Sequence, residues 1–79
     1  MRTEQYEGFI IEALPNLLRD SSRWTVNGQI ARDRHGTVKT RSFTAADTYE
    51  TEEQAVLRSF ELGRQIIEGR VPGISVDDL

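Results

Sequence analysis

The stretch T-E-E-Q-A-V-L-R-S-F-E-L-G-R-Q-I-I-E-G, residues 51–69, decides the fold because it reads as one amphipathic helix. Thr51 has the side-chain oxygen of an N-cap, and Gln54 follows at the spacing of a capping box. Gly69 suits the left-handed conformation that ends a helix, and Pro72 prevents the helix from resuming. Apolar and small residues recur every three or four positions and predict one wide buried face. That face comprises Ala55, Val56, Ser59, Phe60, Leu62, Gly63, Ile66 and Ile67.

Three segments ahead of the helix, residues 6–14, 23–34 and 37–44, are rich in β-branched and aromatic residues and predict strands. Residues 1–5 are expected to be a ragged start. Leu17 and Leu18 are expected either to resume the first strand briefly or to cap the core. The predicted fold class is therefore α+β, with two layers. A three-stranded antiparallel β-meander packs on one C-terminal α-helix, in the order β-β-β-α.

The inner face of the second strand is predicted from its period-two pattern. Its alternating members are Trp24, Val26, Gly28 and Ile30. We expect the Trp24 ring to fill the gap beside Gly63 in the helix. A mid-helix glycine costs about 1 kcal/mol against alanine, so it should serve a close approach of this kind.

The third strand begins after a turn at Arg34-His35-Gly36, where Gly36 suits the positive φ of a short hairpin loop. If Asp33 pairs with Thr37, one set of side chains faces inward and comprises Val38, Thr40 and Ser42. The outward set is then Lys39, Arg41 and Phe43. Because an outward phenylalanine conflicts with this pattern, we expect a bulge near Ser42 that turns the ring inward.

The length and composition bound the class of protein. At 79 residues the chain predicts a single small domain, residues 1–79, whose residues 70–79 form an extended C-terminal tail with solvated Asp77 and Asp78. There is no cysteine and one histidine, so we expect no disulfide, no metal site and no cofactor. No apolar run approaches a membrane span and no signal-peptide pattern is present, so a soluble cytoplasmic protein without a membrane partner is expected.

Charge is distributed unevenly along the chain. The net charge is −3, but residues 19–41 contain six basic and two acidic residues, a balance of +4. The remainder contains four basic and eleven acidic residues, a balance of −7. A basic middle on an acidic frame indicates a polyanion partner or self-complementary association, unless the charges simply solvate the hairpin.

Catalytic chemistry has few candidate residues in this sequence. His35 lies in a predicted exposed turn, so a Ser-His-acid arrangement would have to be built at a loop tip, and neither phosphate-binding glycine loop occurs. The adjacent carboxylates of Glu52 and Glu53 are explained by the helix dipole. The sequence therefore predicts a protein that is not an enzyme.

Three segments of the chain carry a resemblance to other proteins. They are Y-E-G-F-I-I-E-A at 6–13, R-W-T-V at 23–26, and T-E-E-Q-A with G-R-Q-I-I-E-G across 51–69. With them, nearly the whole chain resembles a group of short bacterial proteins of uncharacterised function. The resemblance implies an antiparallel meander packed by a C-terminal helix, and it carries no catalytic signature.

Two functions remain open at the level of sequence. The first is a protein-interaction or self-association module, including a homodimer. Its contact residues would be Tyr6, Ile10, Ile74 and Val76. The alternative is nucleic-acid binding through a basic outer face of the sheet, since Arg and Lys contact phosphates and Arg, Asn and Gln read base edges. Its candidate residues are Arg23, Arg32, Arg34, Lys39 and Arg41.

Overall fold

The computed structural model describes residues 2–79, which form an α+β fold of one antiparallel sheet and one C-terminal helix. The expected two-layer arrangement is confirmed, but the sheet has five strands instead of three. The elements are β1 (Arg2–Tyr6), β2 (Phe9–Ala13), β3 (Leu17–Leu18), β4 (Arg23–Arg34), β5 (Thr37–Tyr49) and α1 (Glu52–Ile67).

The N-terminal residues form a strand that the sequence does not predict. Residues 2–5, expected to be ragged, belong to β1, which pairs with β2 across a turn at Glu7 and Gly8. Both turn residues have positive φ, which allows a tight reversal. The single predicted strand over 6–14 is therefore the end of β1, a turn, and β2.

Pro15 explains the short extra strand β3. Proline has no N–H for a sheet ladder, so the chain leaves the edge of β4 there and rejoins it at Leu17 and Leu18. Thr25 N donates to the Asn16 carbonyl at 2.8 Å, which keeps the interruption close to β4. The expected resumption at Leu17 and Leu18 is confirmed. β2 and β3 share one edge of β4, and β5 occupies the other.

The helix begins and ends where its sequence predicts, within two residues. Thr51 Oγ1 accepts a hydrogen bond from Gln54 N at 3.1 Å, and Gly69 has φ 76°. The predicted apolar face is buried against the sheet. The buried Ser59 hydroxyl donates a hydrogen bond to the Ala55 carbonyl at 2.8 Å. Ion pairs from Arg2 to Glu53 and from Arg64 to Glu4 join α1 to β1.

The residue that fills the gap beside Gly63 is Ile11, not Trp24. A Cβ placed on Gly63 would lie 2.7 Å from Ile11 Cγ2, and Ile11 is completely buried. Trp24 is half-buried and lies outside the core cluster, since it pairs with Tyr49 at the far end of β4. The expected anchoring of the inner face by Trp24 is therefore wrong.

The last ten residues fold back over the core. Val71 and Ile74 pack against it, and Val76 and Leu79 are buried within it. The Leu79 N–H donates to the Val76 carbonyl at 3.0 Å and closes a turn. Within residues 2–79, no helix has the length and apolar character needed to cross a membrane.

Candidate nucleic-acid interface

The β4–β5 hairpin is the longest pair of strands in the sheet, and its turn sets the position of every basic residue on it. The turn has two residues, His35 with φ 54° and Gly36 with φ 85°. Positive φ at both positions is the geometry of a type I′ turn, which matches the twist of the strands. Asp33 Oδ1 accepts a hydrogen bond from Gly36 N at 3.1 Å and holds the loop.

This turn makes Arg34 pair with Thr37, one residue away from the expected Asp33–Thr37 pairing. A slip of one residue exchanges the two faces of a strand. Val38 is therefore 61% exposed and Phe43 is 6% exposed, directly opposite Gly28 on the buried face. No bulge near Ser42 is needed.

The irregularity in β5 lies further along the strand. The register shifts between Thr25 and Val26 of β4, where Thr25 pairs with Thr48 and Val26 pairs with Ala45. β5 consequently continues to Tyr49, through residues that were expected to form the crossing to the helix.

The corrected register gathers four cations on one face of the hairpin. We call this surface the basic face, and it consists of Arg32, Arg34, Lys39 and Arg41. Because side chains alternate along a strand, the basic face lies on the same side of the sheet as Ile30. The helix covers that side at Ile30. The expected basic outer face of the sheet is therefore wrong.

Arg32 and Lys39 pair directly across the two strands of the basic face. Like charges at such positions repel and destabilise a sheet. Thr37, which pairs with Arg34 on this face, is neutral. No carboxylate from either strand therefore offsets the repulsion between Arg32 and Lys39. The hairpin thus holds a concentrated positive charge that folding alone does not require.

Two of the four cations have partners that orient them. The Arg32 guanidinium lies 5.0 Å from the centroid of the buried Phe9 ring, a cation–π arrangement. Arg41 pairs with Asp78. Arg34 and Lys39 are exposed, and neither forms an ion pair with any of residues 2–79.

Arg23 does not belong to the basic face. It lies at the opposite end of β4, where its Nε donates to Thr48 Oγ1 at 2.7 Å and a terminal nitrogen donates to the Thr48 carbonyl at 2.8 Å. These bonds use Arg23 to secure the end of β5. Sequence reasoning therefore placed one structural arginine among the candidates for contact with nucleic acid.

The amide side chains expected to read base edges are engaged within the outer face of the sheet. Gln29 Nε2 donates to Glu12 Oε1 at 2.8 Å. Asn27 Nδ2 donates to Thr25 Oγ1 at 2.6 Å and its oxygen accepts from Thr44 Oγ1 at 2.7 Å. Both amides therefore stabilise the sheet.

The residues expected to contact a protein partner are mostly used inside the chain. Val76 is 4% exposed, and Tyr6 and Ile74 pack against the core. Tyr6 pairs with Phe9 and so faces the helix. Ile10 alone of the four is exposed on the outer face, at 42%.

Tyr6 is expected to titrate above its ordinary pKa of 10.0 because its hydroxyl donates to Glu68 Oε2 at 2.5 Å and because partial burial disfavours tyrosinate. A raised folded pKa means that this contribution to stability is full below the unfolded pKa and is lost as the pH rises through the folded pKa. Tyrosinate absorbance of a Tyr49→Phe protein measures the titration.

Glu68→Gln, just after the helix, should bring the pKa of Tyr6 down, while Glu52→Gln, an exposed change at the first residue of the helix, should leave the titration in place. Equal titration curves for the parent and the Glu68→Gln protein would contradict the role given to this hydrogen bond.

Comparison with known proteins adds a family to this geometry. The family model described as "Transcriptional activator HlyU" matches residues 1–73, which include the complete sheet, the helix and the basic face. No curated protein and no solved structure matches the chain. The expected resemblance to short bacterial proteins of uncharacterised function is thereby replaced by a named family.

This match overturns the main functional expectation. The sequence was interpreted as a protein-interaction or self-association module of unknown function, whereas the family description names a regulator of transcription. It favours the alternative of nucleic-acid binding. The description also names a regulator and not an enzyme.

Proposed function

Because the chain belongs to the family of the transcriptional activator HlyU, we propose that it binds duplex DNA through the basic face of the β4–β5 hairpin. The observation that carries the proposal is the pairing of Arg32 with Lys39, flanked by Arg34 and Arg41 on the same face. Four positive charges on one side of a two-strand ribbon create a surface whose repulsion an array of phosphates would relieve.

The shape of the hairpin supports a duplex as the ligand. A two-stranded β-ribbon fits the major groove of B-DNA, and other β-sheet proteins bind DNA in this way. The tip of the hairpin, residues 33–38, is exposed throughout. Arg34 lies in this tip and Lys39 follows it directly, so both are placed to reach the phosphates that border the groove.

The aromatic residues favour a duplex over a single strand. Binding to single strands uses exposed aromatic rings on which bases stack. Within residues 2–79, the phenylalanine rings next to the basic face are Phe9 and Phe43, which are 8% and 6% exposed. Arg32 covers Phe9, so neither phenylalanine offers an exposed ring for stacking.

The overall acidity of the chain limits the binding to one surface. The basic residues of the hairpin contrast with the residues outside 19–41, whose charges sum to −7, and the net charge of the chain is −3. Such a separation of charge orients a protein toward a polyanion while weakening attachment through other surfaces.

Binding to a random-sequence DNA duplex is expected to depend strongly on salt. If Arg32, Arg34 and Lys39 each neutralise one phosphate, the slope of log affinity against log salt is about −2.7. The affinity should then fall roughly 40-fold between about 50 mM and about 200 mM salt. Fluorescence anisotropy of a labelled duplex measures both quantities, with a single strand of the same sequence as the comparison. No binding to the duplex at the lower salt concentration would overturn the proposed function.

A further inference from the structure

Asp78 brings a carboxylate to the basic face from the C-terminal segment. Both of its carboxylate oxygens accept from the same terminal nitrogen of Arg41. The pKa of Asp78 is lowered, chiefly by this hydrogen bond and to a smaller extent by the charges of Arg41 and Lys39. The carboxylate is therefore ionised at neutral pH and lies within electrostatic reach of two members of the basic face.

The segment that carries Asp78 is anchored on both sides of the aspartate. Val76 and Leu79 are 4% and 3% exposed, and the hydrogen bond between them closes the turn. Asp77 N also donates to Ser75 Oγ at 3.1 Å. Burial of the two flanking side chains holds the exposed carboxylates at the tip of an ordered turn, so the contact with Arg41 is a positioned one.

The pair between Arg41 and Asp78 leaves room for a better anion. Arg41 uses one terminal nitrogen for Asp78, and its other terminal nitrogen makes no hydrogen bond within residues 2–79. A two-pronged arrangement, in which two guanidinium nitrogens each donate to a different oxygen, is stronger and suits phosphate as well as carboxylate. Asp78 is also largely exposed, so the pair is solvent-screened and readily exchanged.

The family model matches the residues around Arg41 but not those around Asp78. Arg41 and the rest of the basic face lie within the matched residues 1–73, whereas Asp78 lies beyond them. The acidic turn thus lies outside the residues that the family model matches.

We propose that residues 74–79 act as an internal competitor for DNA phosphate, in which Asp78 pairs with Arg41 and keeps it from contacting a phosphate. This inference rests on the proposed function. The protein then presents Arg32, Arg34 and Lys39 to DNA, and Arg41 contributes to binding only when its pair with Asp78 is removed. The turn itself stays in place, because Val76 and Leu79 hold it to the core.

Asp78→Asn is expected to raise the affinity for a random-sequence duplex roughly threefold to tenfold, because Arg41 no longer has an anionic partner to lose. The slope of log affinity against log salt should become steeper by about 0.9, the value for one further phosphate. Asp77→Asn is the matched control. It makes the same chemical and charge change one residue away, on a side chain that forms no ion pair within residues 2–79.

A double-mutant cycle with Arg41→Ala identifies the residue that gains the contact. Arg41→Ala should change the affinity of the parent by less than about twofold, because Arg41 is occupied there, but it should remove the gain in the Asp78→Asn protein. Thermal unfolding of each variant verifies that the fold is retained. The Asp78→Asn protein should remain folded, since asparagine has the same shape and the side chain is exposed.

Equal effects of Asp78→Asn and Asp77→Asn would overturn the competitor, since both would then reflect net charge alone. The proposed function would survive that result if duplex binding still showed its salt dependence. Failure of both the parent and the Asp78→Asn protein to bind duplex at low salt would overturn the proposed function and the inference with it.

Discussion

A protein in which Arg34 and Lys39 are both replaced by glutamate is expected to lose duplex binding, with a fall in affinity of roughly a hundredfold or more. Each substitution removes a cation that would contact a phosphate and puts a carboxylate in its place. Both side chains are exposed and free of ion pairs within residues 2–79, so the fold should not depend on them. Anisotropy of the labelled duplex at low salt measures the loss.

The control for this charge reversal is a protein with Arg19→Glu and Arg70→Glu. These arginines are also exposed and do not belong to the basic face: Arg19 lies in the turn before β4, and Arg70 follows the helix, where it pairs with Glu68. Each pair of substitutions makes the net charge more negative by the same amount. Equal losses in the two proteins would show that total charge and not the basic face controls binding, contrary to the proposal.

Gly28→Ala is expected to destabilise the protein by about 3 kcal/mol, because the new methyl group has no space. A Cβ at this position would lie 2.4 Å from the Glu12 carbonyl oxygen and 2.6 Å from Phe43 Cζ. The carbonyl belongs to the sheet between β2 and β4 and cannot rotate away. Urea unfolding followed by circular dichroism measures the free energy of unfolding, and an unchanged value would contradict this account of the close approach.

Combining Gly28→Ala with Phe43→Leu separates the two contacts. The smaller side chain removes the ring from the space that the methyl group enters, but it leaves the Glu12 carbonyl in place. The alanine substitution should therefore still cost stability in the Phe43→Leu background, although less than in the parent. Complete rescue would assign the whole effect to the ring.

The helix and its buried face could be predicted because their signals are local. The cap at Thr51, the stop at Gly69 and the apolar period between them depend on residues within a few positions of one another. The same holds for the alternation that buries Val26 and Ile30. The first strand was missed because Arg2–Tyr6 has little apolar character, and it forms through pairing with β2.

The face of the third predicted strand depended on one residue of register. The dipeptide His35-Gly36 contained the signal for a two-residue loop, and the conflict over Phe43 pointed to the same answer. Counting the loop as three residues exchanged the two faces and put Lys39 and Arg41 on the outer side. With the two-residue loop, all four cations of the basic face share one side.

The amino-acid sequence alone determined the helix, its caps and the excess of positive charge between residues 19 and 41, because each depends on neighbours in the chain. The tertiary structure decided where that charge is presented, that Ile11 fills the space beside Gly63, and that Asp78 reaches Arg41 across 37 positions of sequence. Such contacts arise only when distant segments pack together. Their geometry follows from register and from the path of the chain over the core, which no local pattern specifies.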